Sequence, residues 1–146
     1  TIRKGEYNKI YVTLDTHSTQ AYMGTCEWKK FQEHCLIYST SWALEDSISK
    51  ELASQRTNVV KYCTKSTFSP MEMLAGMMEN EVLNHFDTIE IVGVCTDICV
   101  ISTALALRSQ YPYTSIHVLS KGCAGTTPEM HQKALDVMRS CCIEVI

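Results

Sequence analysis

The stretch Thr88-Ile-Glu-Ile-Val-Gly-Val-Cys-Thr-Asp-Ile-Cys-Val100 decides the fold. Its first part, Thr88 to Cys95 (TIEIVGVC), is a near-continuous apolar run. Such a run is typical of a strand buried on both faces of a parallel sheet. Thr96 to Arg108 then reads as a helix with Ala and Ser on a buried side. Outward from this junction the alternation continues. Upstream, Lys9 to Leu14 (KIYVTL) and Thr57 to Cys63 are β-branched and aromatic, and read as strands. Asp15 to Leu36 has no hydrophobic period and reads as a long loop, and Trp42 to Leu52 as a short helix. Pro70 to Leu83 reads as a helix with Ser69 as its cap and Pro70 at its first position. Downstream come a strand at Thr114 to Leu119, a helix at Thr127 to Ser140 and a strand at Cys142 to Ile146. In the helix, Thr127 is the cap, Pro128 the opening residue, and Met130, Ala134, Leu135 and Met138 the apolar face. Strands alternating with helices predict an α/β fold, a mainly parallel sheet covered on both faces. Ligands in such sheets bind beyond the carboxyl ends of the strands, so the loops after Leu14, Cys63 and Val94 are the ones to read. No repeat or linker interrupts residues 1–146, which predicts a single domain.

Composition narrows the function classes. The chain has 146 residues, a net charge of −3 and an apolar fraction of 45%, enough for a real core and against disorder. No basic stripe offers a footprint for nucleic acid. No apolar run is long enough to span a bilayer, and no basic-then-apolar leader opens the sequence. Eight cysteines contain no Cys-x-x-Cys pair, which argues against a zinc ribbon. Several sit in apolar stretches, where a thiol acts as a small hydrophobe, so the expectation is a reduced, cytoplasmic protein.

Cys99 lies in the first turn of the helix that follows the Thr88 strand. Helix N-termini carry partial positive charge and unpaired N–H groups. Both favour a reactive thiolate, and the same N–H groups can hold a developing oxyanion. On these residues alone Cys99 reads either as a nucleophile or as a small buried residue.

GVCTDICVISTALAL resembles the signature of the isochorismatase-like cysteine hydrolases, the superfamily that includes the nicotinamidases. The resemblance implies a three-layer αβα sandwich of Rossmann-like type. It makes Cys99, the Cys of the Gly-Val-x-Thr-Asp-x-Cys-Val run, the nucleophile. It implies a cis peptide at Val94–Cys95 and an oxyanion hole from the backbone N–H groups of Cys95 and Cys99. Lys121 to Ile146 (KGCAGTTPEMHQKALDVMRSCCIEVI) matches the family's closing segment, with Lys121 near the usual acid. His131, on the last helix, reads as structural rather than as a base.

Family members carry a Lys before an aromatic-Ser segment, and Lys65-Ser-Thr-Phe-Ser69 fits that pattern. Lys65 would assist Cys99 electrostatically; Lys61, within a strand and without the downstream pattern, is the competitor. The family's acid, an Asp closing the first, central strand in a run like Val-Ile-Asp-x-Gln-x-Asp-Phe, has no counterpart in this sequence. The expectation is therefore a sheet lacking its N-terminal central strand, with an upstream piece of a few tens of residues absent.

Asp15-Thr-His17 follows the first strand, and His34 stands in Phe-Gln-Glu-His-Cys35. Carboxylates and imidazoles suit zinc or another divalent ion, though an Asp-x-His pair in a loop is commonly just polar. Nicotinamidases carry Asp-Thr-His after this strand and an aromatic-Pro-x-His-Cys segment later. The resemblance thus implies Asp15, His17 and His34 as metal ligands, with Glu27 as a fourth, and zinc as the metal. It also implies Phe31 and Val94 as substrate contacts. Gln32 replaces the usual Pro. Isochorismatases proper lack this ligand set. The resemblance therefore implies hydrolysis of a small amide, nicotinamide to nicotinate and ammonia, as in NAD salvage, through a thioester on Cys99. Another small amide or carbamoyl substrate, or a non-catalytic scaffold, are the alternatives. Relatives are often homo-oligomers, and a small molecule is the expected partner.

Overall fold

The computed structural model describes residues 7–55, 60–79 and 86–146. The elements run β1 (Ile10–Asp15), α1 (Thr19–Tyr22), α2 (Cys26–Phe31), α3 (Asp46–Ala53), β2 (Val60–Lys65), α4 (Met71–Glu79), β3 (Thr88–Val94), a π-helical turn (Thr96–Val100), α5 (Ile101–Gln110), β4 (Ser115–Ala124), α6 (Pro128–Ser140) and β5 (Glu144–Val145). Every described strand pairing is parallel. The chain divides into two compact units, Thr1–Pro70 and Met71–Ile146.

In the first unit β1 pairs with β2, with Asp15 opposite Lys65. That register sets the two oppositely charged residues side by side at the carboxyl ends of their strands. Thr16 N–H continues the ladder to the Lys65 carbonyl at 2.7 Å. The stretch after β1 is not the long loop its mixed polarity predicts. Two short helices occupy it, each opened by a side-chain cap: Ser18 accepts from Ala21 N–H, and Thr25 from Trp28 N–H. Caps and tertiary contacts form helices too short to show a hydrophobic period. α3 begins at Asp46 rather than Trp42, because the Glu45 carboxylate accepts from Ser47 and Ile48 N–H and starts the helix there. Of the strand expected at Thr57 to Cys63, residues 57–59 lie outside the described residues, and its observed part continues to Lys65.

In the second unit the strand order is β3-β4-β5. Ile116, Val118, Ala104, Leu107, Leu135, Met138 and Ile143 are buried and form its core. Full burial stabilises by about 1.5–3 kcal/mol for each of these except the smaller Ala104. α6 starts where its sequence says: Thr127 accepts from Met130 N–H and Pro128 opens the helix. α4 ends its described span at Glu79; residues 80–83 of the expected helix lie outside the described residues. Two expectations need correction. β3 is not covered on both faces: Ile91 is buried, while Thr88, Glu90, Val92 and Val94 on the other face are exposed. β3 sits at the end of its sheet order, where an apolar run does not guarantee two-sided cover. β4 also outruns Leu119, because it bulges opposite Ile91/Gly93 and resumes pairing at Cys123 and Ala124. Val92 packs into that bulge so closely that a Cβ on Gly122 would lie 2.7 Å from its Cγ1.

Candidate active site

The first unit brings together four of the residues singled out in the sequence. Asp15 closes β1, His17 follows two residues later, Glu27 sits in the first turn of α2, and His34 comes just after that helix. His17 N–H donates to the Cys35 carbonyl at 3.1 Å, and Ile37 N–H donates to the His17 carbonyl at 2.9 Å. This single parallel bridge lays the His34 segment alongside His17. One donor atom from each of Asp15, His17, Glu27 and His34 then falls within 4.8 Å of all the others. His17 Nε2 is 3.4 Å from Asp15 Oδ2 and 3.7 Å from Glu27 Oε1. His34 Nε2 is 3.3 Å and 3.6 Å from the same two oxygens.

The residues fit a divalent metal. A tetrahedral ion with bonds of about 2.0–2.2 Å needs ligand atoms about 3.3–3.6 Å apart. The four nitrogen–oxygen edges, 3.3 to 3.7 Å, follow that spacing closely. His17 Nε2 is buried and makes no hydrogen bond, an orphan that a metal would satisfy. The outer contacts fit as well. His34 Nδ1 lies 3.1 Å from Tyr22 Oη and 3.1 Å from the Gln32 carbonyl, which leaves Nε2 turned to the carboxylates. Tyr22 also stacks on His17, ring centroids 3.8 Å apart. Burial first, and then the charges of Glu27 and Asp15, raise the Tyr22 phenol above its usual 10.0, so the hydroxyl stays neutral. No sequence reading singled out Tyr22, because a lone Tyr in a polar segment carries no spacing signal.

Lys65 is buried, and its Nζ lies 3.0 Å from Asp15 Oδ1 and 3.1 Å from the Thr67 carbonyl. Lys61 is exposed on the same strand. Asp15 is thus shared, one oxygen to Lys65 and the other to the histidine pair. Phe31 stands edge-on to His34 at 6.2 Å between centroids, and Phe68 edge-on to Phe31 at 6.5 Å. Phe68, part of the lysine pattern in the sequence, thus stands beside Phe31. Gln32 has φ 59° and ψ −162°. Proline is locked near −65°, so the family's usual residue cannot take this backbone path. The substitution therefore goes with a different loop geometry.

Cys99 lies in the second unit, within the π-helical turn rather than in an α-helical first turn. The Cys95 carbonyl accepts from both Ile98 and Val100 N–H at 3.1 Å, and the i→i+5 bond from Val100 is the one that makes the turn wide. The Val94–Cys95 peptide is cis. Val94 is 69% exposed, while Cys95 and Cys99 are part-buried. Burial pushes the Cys95 thiol up, and the neighbouring Asp97 and Cys99 add to the shift, so Cys95 is a poor thiolate at neutral pH. Lys121 is exposed on β4.

A model of the isochorismatase domain matches residues 3–146. The chain belongs to the isochorismatase family. Its fold is that of the isochorismatase-like hydrolases, close to the nicotinamidases. The nicotinamidase of Bacillus subtilis superposes with a TM-score of 0.78 at 22% identity, over 97% of this chain and 75% of that one. The pyrazinamidase of Pyrococcus horikoshii, crystallised in complex with zinc, gives 0.71 at 20% identity over 94% and 74%. The N-carbamoylsarcosine amidase of Thermoplasma acidophilum gives 0.65 at 18% over 94% and 70%. No curated protein matches the sequence. Among the described residues no helix is long and apolar enough to cross a membrane.

Proposed function

We propose that this family member is a cysteine-dependent amidohydrolase, and that its substrate is nicotinamide. The observation that carries the reading is the Asp15, His17, Glu27 and His34 cluster, with its metal-sized spacing and the orphaned His17 Nε2. The likeness of the fold to nicotinamidases and a zinc-bound pyrazinamidase supports it. Asp15, His17, Glu27 and His34 would hold a divalent metal, zinc by donor type. When bound, that ion supplies an open coordination position for a ring nitrogen or a water.

The chemistry falls to Cys99. Its thiolate adds to the carboxamide carbon, forming the C–S bond and an oxyanion. The backbone N–H groups of Cys95 and Cys99 are the proposed donors to that oxyanion. The proton lost by the thiol is the one the leaving nitrogen needs. As the C–N bond breaks, ammonia departs and a thioester remains. Water then adds to the thioester, giving nicotinate and returning the proton to Cys99. Phe31 and Val94 enter the proposal as substrate contacts on the family resemblance alone. Lys65 contributes a buried positive charge that favours anionic species.

The test is ammonia release from nicotinamide by the full-length, metal-loaded protein, with Cys99→Ala as the blank. Release that vanishes in the blank supports the reading; no release from folded, loaded protein overturns nicotinamide as substrate. One observation favours a second substrate. The proline-incompatible backbone at Gln32 reshapes the loop beside Phe31, which would suit another small amide or carbamoyl compound, and a substrate panel separates the two.

A further inference from the structure

Two adjacent residues of the π-helical turn are tied to the junction between β4 and α6. Thr96, fully buried, lies with its Oγ1 2.8 Å from His131 Nδ1. Asp97 is held by the loop before α6: its Oδ1 accepts from Thr126 N–H at 2.8 Å, and its Oδ2 from the Thr126 hydroxyl. The receiving side is itself rigid. His131 N–H donates to the Thr127 carbonyl as the first full bond of α6. Gly125 packs so tightly on this turn that a Cβ there would lie 2.8 Å from the His131 backbone. From α5, Ser102 Oγ donates to the carbonyl of Ile98 in the turn at 2.6 Å.

We propose that His131 is a positioning residue for Cys99, acting through Thr96. The proposal rests on the reading of Cys99 as the nucleophile. Cys99 stands three residues beyond Thr96, in a turn whose shape depends on where residues 96 and 97 are held. Thr96 fixes the turn to the helix, and Asp97 fixes it to the preceding loop. With both attached, the turn cannot rotate as a body, and the Cys99 thiol and N–H keep one direction. Without the His131 contact, the Thr96 hydroxyl loses its partner in a fully buried position. Relief requires the turn to move, and a displacement of about 1 Å at a nucleophile costs on the order of 100-fold in rate.

The test is the rate at which iodoacetamide alkylates Cys99 in the full-length protein, read at the Cys99 peptide by mass spectrometry. His131→Leu removes the polar contact, and His131→Asn keeps a hydrogen-bonding atom near the Nδ1 position. Thr96→Val and Thr96→Ser repeat the comparison from the other side, should His131→Leu fail to fold. The expected result is an alkylation rate lowered at least about tenfold in the Leu and Val variants and largely restored in the Asn and Ser variants, at similar Tm. Where hydrolysis is measured, kcat falls while KM holds. Wild-type rates in both His131→Leu and Thr96→Val, or Asn and Ser variants as slow as Leu and Val, would overturn the proposal. A wild-type Cys99 that does not react overturns it together with the nucleophile reading. A reactive Cys99 without amide hydrolysis overturns only the amidase reading.

Discussion

Replacing Tyr22 by Phe should weaken divalent-metal binding about tenfold. A neutral imidazole that ligates through Nε2 carries its proton on Nδ1. At His34 that proton faces two acceptors, the Gln32 carbonyl and Tyr22 Oη, each 3.1 Å from Nδ1. Losing such an outer-shell partner typically lowers metal affinity by about 10–100-fold. Here Gln32 survives the substitution, so the low end applies: about 1.4 kcal/mol, or a factor of ten. The phenyl ring keeps the stack on His17, and removing one oxygen from a buried ring leaves no methyl-sized cavity, so Tm should hardly move. The assay is competition between the protein and a chromophoric zinc chelator at neutral pH, for wild type, Tyr22→Phe and His34→Ala. Affinity unchanged within a factor of two would mean that Tyr22 does not orient His34. A loss as large as that of His34→Ala would mean that the Gln32 carbonyl shares none of the work, and the argument from two acceptors would fail.

Three further outcomes are expected. Lys65→Met removes the cation from Asp15, and breaking a pair this buried should destabilise the metal-free protein by about 3 kcal/mol. Because a dication compensates the same carboxylate, saturating zinc should raise Tm more in this variant than in wild type, and an equal rise would count against the shared carboxylate. Gln32 holds a backbone conformation that is essentially glycine's; Gln32→Gly should therefore stabilise by up to about 1 kcal/mol, whereas Gln32→Pro should cost about 1–3 kcal/mol by denaturant unfolding. The opposite order would refute the strain. At Asp97 burial raises the carboxyl pKa, but the hydrogen bonds from the Thr126 side chain and backbone outweigh it, and the net value lies below the usual 3.8. A folded pKa below the unfolded one gives stability that is present above pH 3.8 and lost as pH falls through the folded value. Thr126→Val should thus lose stability at neutral pH, and its deficit should shrink on acidification. A deficit that stays constant with pH would exclude the carboxylate as its source.

How much the sequence disclosed depended on the range of the interaction. β1, β3 and α6 were legible because β-branched runs and a Thr-Pro cap act within a few residues. The same locality explains what was missed. α1 and α2 have four and six residues, too short for a hydrophobic period, and only their capping side chains mark them. The exposure of Val92 and Val94 depends on which strands flank β3, which its own apolar run does not encode. At the metal cluster, ligand-type residues could be picked out by chemistry and resemblance. Tyr22 could not, because its place is set by α1 returning its ring to His17. The partner of Lys65 was equally hidden: fifty residues separate it from Asp15, and only the β1–β2 register puts them side by side.

That register also explains why position 15 calls for Asp. Its short side chain leaves one oxygen for Lys65, beside it on β2, and one for the His17 and His34 nitrogens beyond the strand end. Glu would carry the carboxylate about one C–C bond, roughly 1.5 Å, further out. The histidine contacts at 3.3 and 3.4 Å would then become collisions or be lost, and the Lys65 contact at 3.0 Å would stretch. The charge count points the same way. The imidazoles aside, Asp15, Glu27 and Lys65 sum to one excess negative charge, which a divalent ion would convert to one excess positive charge. A site of that balance favours a cation. The second carboxylate, Glu27, would keep the charge of a loaded site at one rather than two.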